Sequence, residues 1–133
     1  MKGLIMVSIL ALGTASAAAE ETTMNEAQLD GLLTGNTVYI AVPPGGPGGP
    51  NGGVAPFKFG ADGSAAAKLP AGMTLVGKWR LDGDKYCADW DNGPQNSCTK
   101  IVKSAEGMKM FDAAKNEPRG VINSIAPGNP ENL

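Results

Sequence analysis

Parts of the chain after Thr37 alternate between apolar and polar positions. The clearest stretch is Thr74–Leu81, where Leu75, Gly77, Trp79 and Leu81 share one face and Thr74, Val76, Lys78 and Arg80 the other. That period of two is what a half-buried strand requires. Lys85–Trp90 repeats it, with Tyr86, Ala88 and Trp90 together on one face. Shorter β-prone segments lie at 37–42, 56–59, 65–69, 98–103, 109–111 and 120–125. Between them stand turn sequences such as Ala61-Asp62-Gly63-Ser64, Asp82-Gly83-Asp84 and Lys115-Asn116-Glu117-Pro118, rich in residues that accept turn backbone angles. About eight short strands at roughly ten-residue spacing predict a mainly β fold. The expected form is a small antiparallel meander, either barrel-like or a sandwich. Closure would also remove the exposed edges that a small sheet otherwise presents.

One segment breaks the alternation. Thr23-Met24-Asn25-Glu26 has the spacing of a capping box, and Leu29, Leu32 and Leu33 follow at helical intervals. Gly35-Asn36 suits a left-handed stop. These features predict one short helix over about 24–34, its leucine stripe packed on the sheet. Between the first two strands, ten of the eleven residues from Pro43 to Gly53 are glycine or proline. Such a run offers neither core side chains nor ladder donors, so it predicts an exposed, mobile loop. It lacks the Gly-X-Y period of collagen and the Gly-Lys-Ser/Thr of a phosphate-binding loop.

Residues 1–19 read as a secretory signal. Lys2 precedes a short apolar run from Leu4 to Leu12, and Ala15-Ser16-Ala17 and Ala17-Ala18-Ala19 both have the small-x-small form of a cleavage site. The run is shorter than the ~20 residues a spanning helix needs, so no membrane span is expected after cleavage. The product would be periplasmic or secreted, a single β domain over 20–133. Its 133-residue precursor carries 11 basic and 13 acidic groups and no histidine. Near-neutral charge argues against nucleic acid, whose phosphates demand clustered Lys and Arg. Lack of histidine removes the commonest general base and metal ligand.

Cys87 and Cys98 flank the polar segment Asp91–Ser97. If their strands pair antiparallel, strand parity puts both cysteines on the outer face. The inner face then gathers Tyr86, Trp90, Thr99 and Ile101. A structural disulfide follows, and an exported protein would meet an oxidising compartment. The pair lacks the Cys-x-x-Cys spacing of a redox site. Trp79, Tyr86 and Trp90 become the expected core aromatics.

Leu33-Thr34-Gly35-Asn36-Thr37, Gly77-Lys78-Trp79, Tyr86-Cys87-Ala88-Asp89-Trp90, Cys98 and the late Gly128-Asn129 follow one another in an order that resembles a family of small exported alphaproteobacterial proteins of unknown function. The resemblance spans about residues 32–129, with Pro43–Gly53 as an insertion. It implies a location and a fold, and brings no activity. Gly77-Lys78-Trp79 also resembles the Gly-x-Trp of lipocalin-like barrels, where it lies on the first strand rather than mid-chain. A glycine that lets an indole pack closely accounts for it here.

No catalytic constellation is legible, and no cofactor is expected. A nucleophile would need a base beside it, but there is no Gly-x-Ser-x-Gly elbow, and Ser64 and Lys68 are one residue too far apart for Ser-x-x-Lys. Asp82, Asp84, Asp89 and Asp91 could supply a carboxylate pair for hydrolysis, although aspartate is common at turns. Asp89-Trp90-Asp91-Asn92-Gly93 resembles the start of a calcium loop without its later ligands, consistent at most with millimolar affinity. The expected role is therefore non-catalytic: a binding or structural module of the bacterial envelope, its partner an envelope protein or a small ligand. The first alternative is inhibition of lysozyme or a secreted protease. The candidate partner-binding loop would present Asp91, Asn92, Gln95 and Asn96 above the disulfide.

Overall fold

The computed structural model describes residues 20–133; the expected signal segment lies outside them. The chain begins with a two-residue strand, Thr22–Thr23 (β1), and a helix, Glu26–Leu33 (α1). Eight strands follow: Asn36–Val42 (β2), Gly53–Phe59 (β3), Ser64–Lys68 (β4), Thr74–Asp82 (β5), Lys85–Trp90 (β6), Ser97–Ser104 (β7), Gly107–Asp112 (β8) and Pro118–Pro127 (β9). Each of the eight pairs antiparallel with the next. β9 returns to β2 through Val38↔Ile125 and Ile40↔Ile122. The sheet is thus a closed eight-stranded up-and-down barrel, which settles the choice between barrel and sandwich. β1 adds a short ninth strand, pairing with β7 at Thr22↔Lys103 and Thr23↔Val102.

The alternation read from the sequence is realised. Leu75, Gly77 and Trp79 are buried while Thr74, Val76, Lys78 and Arg80 are exposed. Gly77 lies where an added Cβ would meet the Asp89 carbonyl oxygen and Trp90 Cα, so the close approach of β5 to β6 admits no side chain. Trp79 uses the space alongside, and its indole N–H donates to the Gly60 carbonyl at 2.9 Å. Phe59 sits between Trp79 and Tyr86, with ring centroids 5.3 and 5.2 Å away and edge-on geometry. Such aromatic pairs add to the gain from burial alone.

The helix starts later than its sequence predicts. Asn25 is the N-cap, and Asn25 and Gln28 form the reciprocal capping box. Thr23 is drawn into β1, and the Met24 amide donates to the Ile101 carbonyl at 2.9 Å. Strand pairing therefore claims the residues that local spacing assigns to the cap. The Glu26 carboxylate instead accepts from the Gly83 amide, tying the helix to the β5–β6 turn. Leu29 and Leu33 are fully buried in the same core as Phe59, Trp79 and Ile101. α1 packs on β2, β5 and β6 and closes that end of the barrel.

Most of Pro43–Gly53 is exposed, as expected, but the segment carries local structure of its own. Gly53 already belongs to β3, and Gly46–Gly48 forms a 3-10 turn. The Gly45 amide donates to Gly49 and the Gly48 amide to Gly45. Gly48 is buried where a Cβ would collide with the Pro43 carbonyl oxygen. Glycine here permits a tight self-bonded fold rather than a loose one.

Candidate functional site

Four connections crowd the end of the barrel opposite α1: 43–52, 69–73, 91–96 and 113–117. Below them lies a cavity of about 670 Å³, within the size range of small-molecule sites. Ile40, Phe57, Leu69, Leu75, Trp90 and Met110 make its wall largely apolar. β2 supplies Ile40, β3 Phe57, β5 Leu75, β6 Trp90 and β8 Met110, with Leu69 from the β4–β5 connection. Pro43, Gly45, Gly46 and Pro47 form part of its rim, so the glycine-proline loop is a lip of the cavity.

Arg119 is the charged side chain of this wall. Its position comes from a bulge. Phe111 pairs with Pro118 and Met110 with Gly120, so Arg119 is the extra residue between two ladder positions. A bulge re-aims the side chain it carries. Nη1 donates to Ser97 Oγ at 2.9 Å and to Thr99 Oγ1 at 3.1 Å, and Nη2 donates to Asp112 Oδ2 at 2.6 Å. The Asp112 Oδ1 accepts from the Ala114 and Lys115 amides at 2.8 and 2.9 Å. These amide bonds, with the Arg119 guanidinium, hold the Asp112 carboxyl down to about 2. Asp112 is therefore ionised at physiological pH and offsets the charge of the guanidinium it bonds. Asp112 faces an outer polar recess rather than the cavity.

Tyr86, Thr99 and Asp112 occupy one row across three strands, through Tyr86↔Thr99 and Thr99↔Asp112. Tyr86 is 6 % exposed and lines the cavity. Burial pushes its phenol up to about 12, against a smaller opposing effect of Thr99 and Arg119, so it stays a neutral donor. Thr99 stands close enough to favour the phenolate. Among the described residues, however, the phenol O–H makes no formed hydrogen bond to protein.

The cysteines pair as predicted: Cys87 and Cys98 are directly opposite and joined by a disulfide. Trp79, Tyr86 and Trp90 are buried on the inner face. The loop carrying Asp91, Asn92, Gln95 and Asn96 spends most of its amides internally. Asn92 Nδ2 donates to Thr74 O, and Gln95 Nε2 to Trp90 O. Asn96 accepts from Arg80 through Oδ1 and donates through its backbone N–H to Asp89. The aspartates do not converge. Asp82 and Asp84 sit at the β5–β6 turn, Asp89 pairs with Arg80 on the outer face, and Asp91 lies past the other end of β6. Among the described residues no three acidic or cysteine side chains gather as metal ligands. Sequence reading missed Arg119, because its inward aim depends on the bulge. A lone arginine between Pro118 and Gly120, at the margin of the last strand, was the only available signal.

Set against known proteins, the chain matches no family model, no curated protein and no solved structure. No helix among the described residues is long and apolar enough to cross a membrane.

Proposed function

We propose that this protein is an exported, non-catalytic binding domain of the bacterial periplasm or envelope, and that its barrel takes a small ligand through the open end. The observation that carries the reading is the cavity of about 670 Å³ beneath the four loops, apolar but for a few converging polar groups. The closed end supports it, because α1 leaves one mouth for entry. The Cys87–Cys98 disulfide fits an oxidising compartment, and the signal-like residues 1–19 and the resemblance to exported proteins fit delivery there. Native mass spectrometry of protein purified gently from its own cells tests the reading. A reproducible small-molecule adduct that disappears on denaturation is expected. Ligand-free protein that also fails to take up apolar fluorescent probes would overturn it. Protein of the envelope fraction still starting at Met1 would remove the export step.

A second reading, inhibition of lysozyme or a secreted protease, draws support from the held shape of the Asp91–Ser97 loop. The disulfide and the internal amide bonds fix it before any partner arrives. Titration against lysozyme and common secreted proteases decides it, with no loss of their activity counting against inhibition.

A further inference from the structure

The cavity has a chemistry more specific than its size. Its apolar wall carries two groups that can still donate a hydrogen bond, and both lie on the β6–β9 side. One is the Tyr86 phenol, buried, with Thr99 beside its oxygen and no protein acceptor for its own O–H among the described residues. The other is Arg119, whose three bonds occupy Nη1 and one N–H of Nη2 and leave Nε and a second Nη2 hydrogen. We infer that the cavity is selective for uncharged, largely apolar ligands carrying a hydrogen-bond-accepting head, such as a ketone or amide carbonyl, which meets the Tyr86 phenol and the spare donors of Arg119. This rests on the proposed ligand site in the barrel, the calyx, and names the ligand class for it.

Three physical points lead there. In the unliganded protein, water entering the mouth can satisfy the phenol. A ligand that expels that water must return the bond or leave a buried donor unmet. Room for about twenty waters, at ~30 Å³ each, is enough for a two-ring or medium-chain body. An anionic head gains little here, because Asp112 already neutralises Arg119 at 2.6 Å. A carboxylate or sulfonate would surrender its hydration to a site of no net charge. Asp112 is fixed from behind by the Ala114 and Lys115 amides, so it does not step aside to free the guanidinium.

The test uses three naphthalene probes of similar size with the purified, disulfide-bonded protein. 6-Propionyl-2-(dimethylamino)naphthalene is neutral and carries a carbonyl, 2-(dimethylamino)naphthalene lacks it, and 8-anilinonaphthalene-1-sulfonate is anionic. The ketone should bind about tenfold more tightly than either of the others, the size of one buried hydrogen bond. Its emission should shift as expected for a hydrogen-bonded carbonyl. Tyr86→Phe removes only the hydroxyl. It should abolish most of the preference for the ketone over its carbonyl-free analogue and leave binding of that analogue unchanged. Melting of Tyr86→Phe at or above wild type shows that the fold survives, so the binding ratios decide. A preference unchanged in Tyr86→Phe, or tightest binding by the sulfonate, overturns the ligand class while the calyx stands. Binding of none of the three probes overturns the calyx itself.

Discussion

The two ends of the barrel are built from the same alternating strands and finish differently. At the closed end large side chains pack together: Leu29 and Leu33 come from α1, and Phe59, Trp79 and Ile101 from the sheet. Polar groups there have partners. Thr37, fully buried, donates to the Gly128 carbonyl at 2.8 Å, and the Gly128 amide donates to Gly35. Residues some ninety positions apart are thus clasped where the last strand meets the first. At the open end large side chains such as Phe57, Leu75 and Trp90 border an open cavity, four loops stand in for a helix, and Tyr86 keeps an unspent donor. The difference separates two tasks. One end supplies close packing, which makes stability; the other gives up packing to make room.

That contrast can be broken by measurement. The largest effect is expected from Phe59→Ala, which removes the ring between Trp79 and Tyr86 and should cost about 4 kcal/mol in denaturant unfolding. Leu75→Ala, on the cavity wall, should cost nearer ~2 kcal/mol because its surroundings are already part empty. Equal costs at the two sites would dissolve the distinction. Replacing both cysteines by alanine should cost about 3 kcal/mol from the restored freedom of a short loop. It should also loosen the Asp91–Ser97 lip, read as faster amide exchange there than at the closed end. Thr37→Val keeps the shape, deletes the bond to Gly128 and should cost about 1 kcal/mol, with apolar probe binding unchanged.

The smallest effect is a pH dependence at the open end. Asp112 is held at about 2 in the folded protein against an ordinary 3.8. A depressed carboxyl stabilises the fold while it is ionised. Its contribution is therefore complete above about pH 4 and is lost as pH falls through 2. Melting temperatures of wild type and Asp112→Asn should differ at pH 6 and converge toward pH 2. A gap constant across that range would show that the Arg119 pair does not stabilise the mouth.

Much of this architecture is legible in the residues. Period-two patterning places β5 and β6, β-prone composition between turn signals places the other six barrel strands, and parity agrees with Cys87 opposite Cys98 and with Tyr86 and Thr99 turned inward. The helix is legible in kind but not in its start, since Thr23 answers to a strand partner about eighty residues away. The site is less legible. Arg119 enters the lumen through an irregular step of β9, which a regular alternation cannot foresee. The glycine-proline segment becomes a lip because its glycines allow the Gly45–Gly49 fold and because four loops meet at the mouth.

The amino-acid order by itself determined strand type, the disulfide and the aromatic core, because these follow from local period and from pairing between neighbouring hairpin strands. Only the tertiary structure decided that β9 returns to β2, that α1 seals one end, and that a cavity with Tyr86 and Arg119 remains at the other. Closure, sealing and void each depend on how residues distant in sequence share a volume, and volume is not a property of any segment alone.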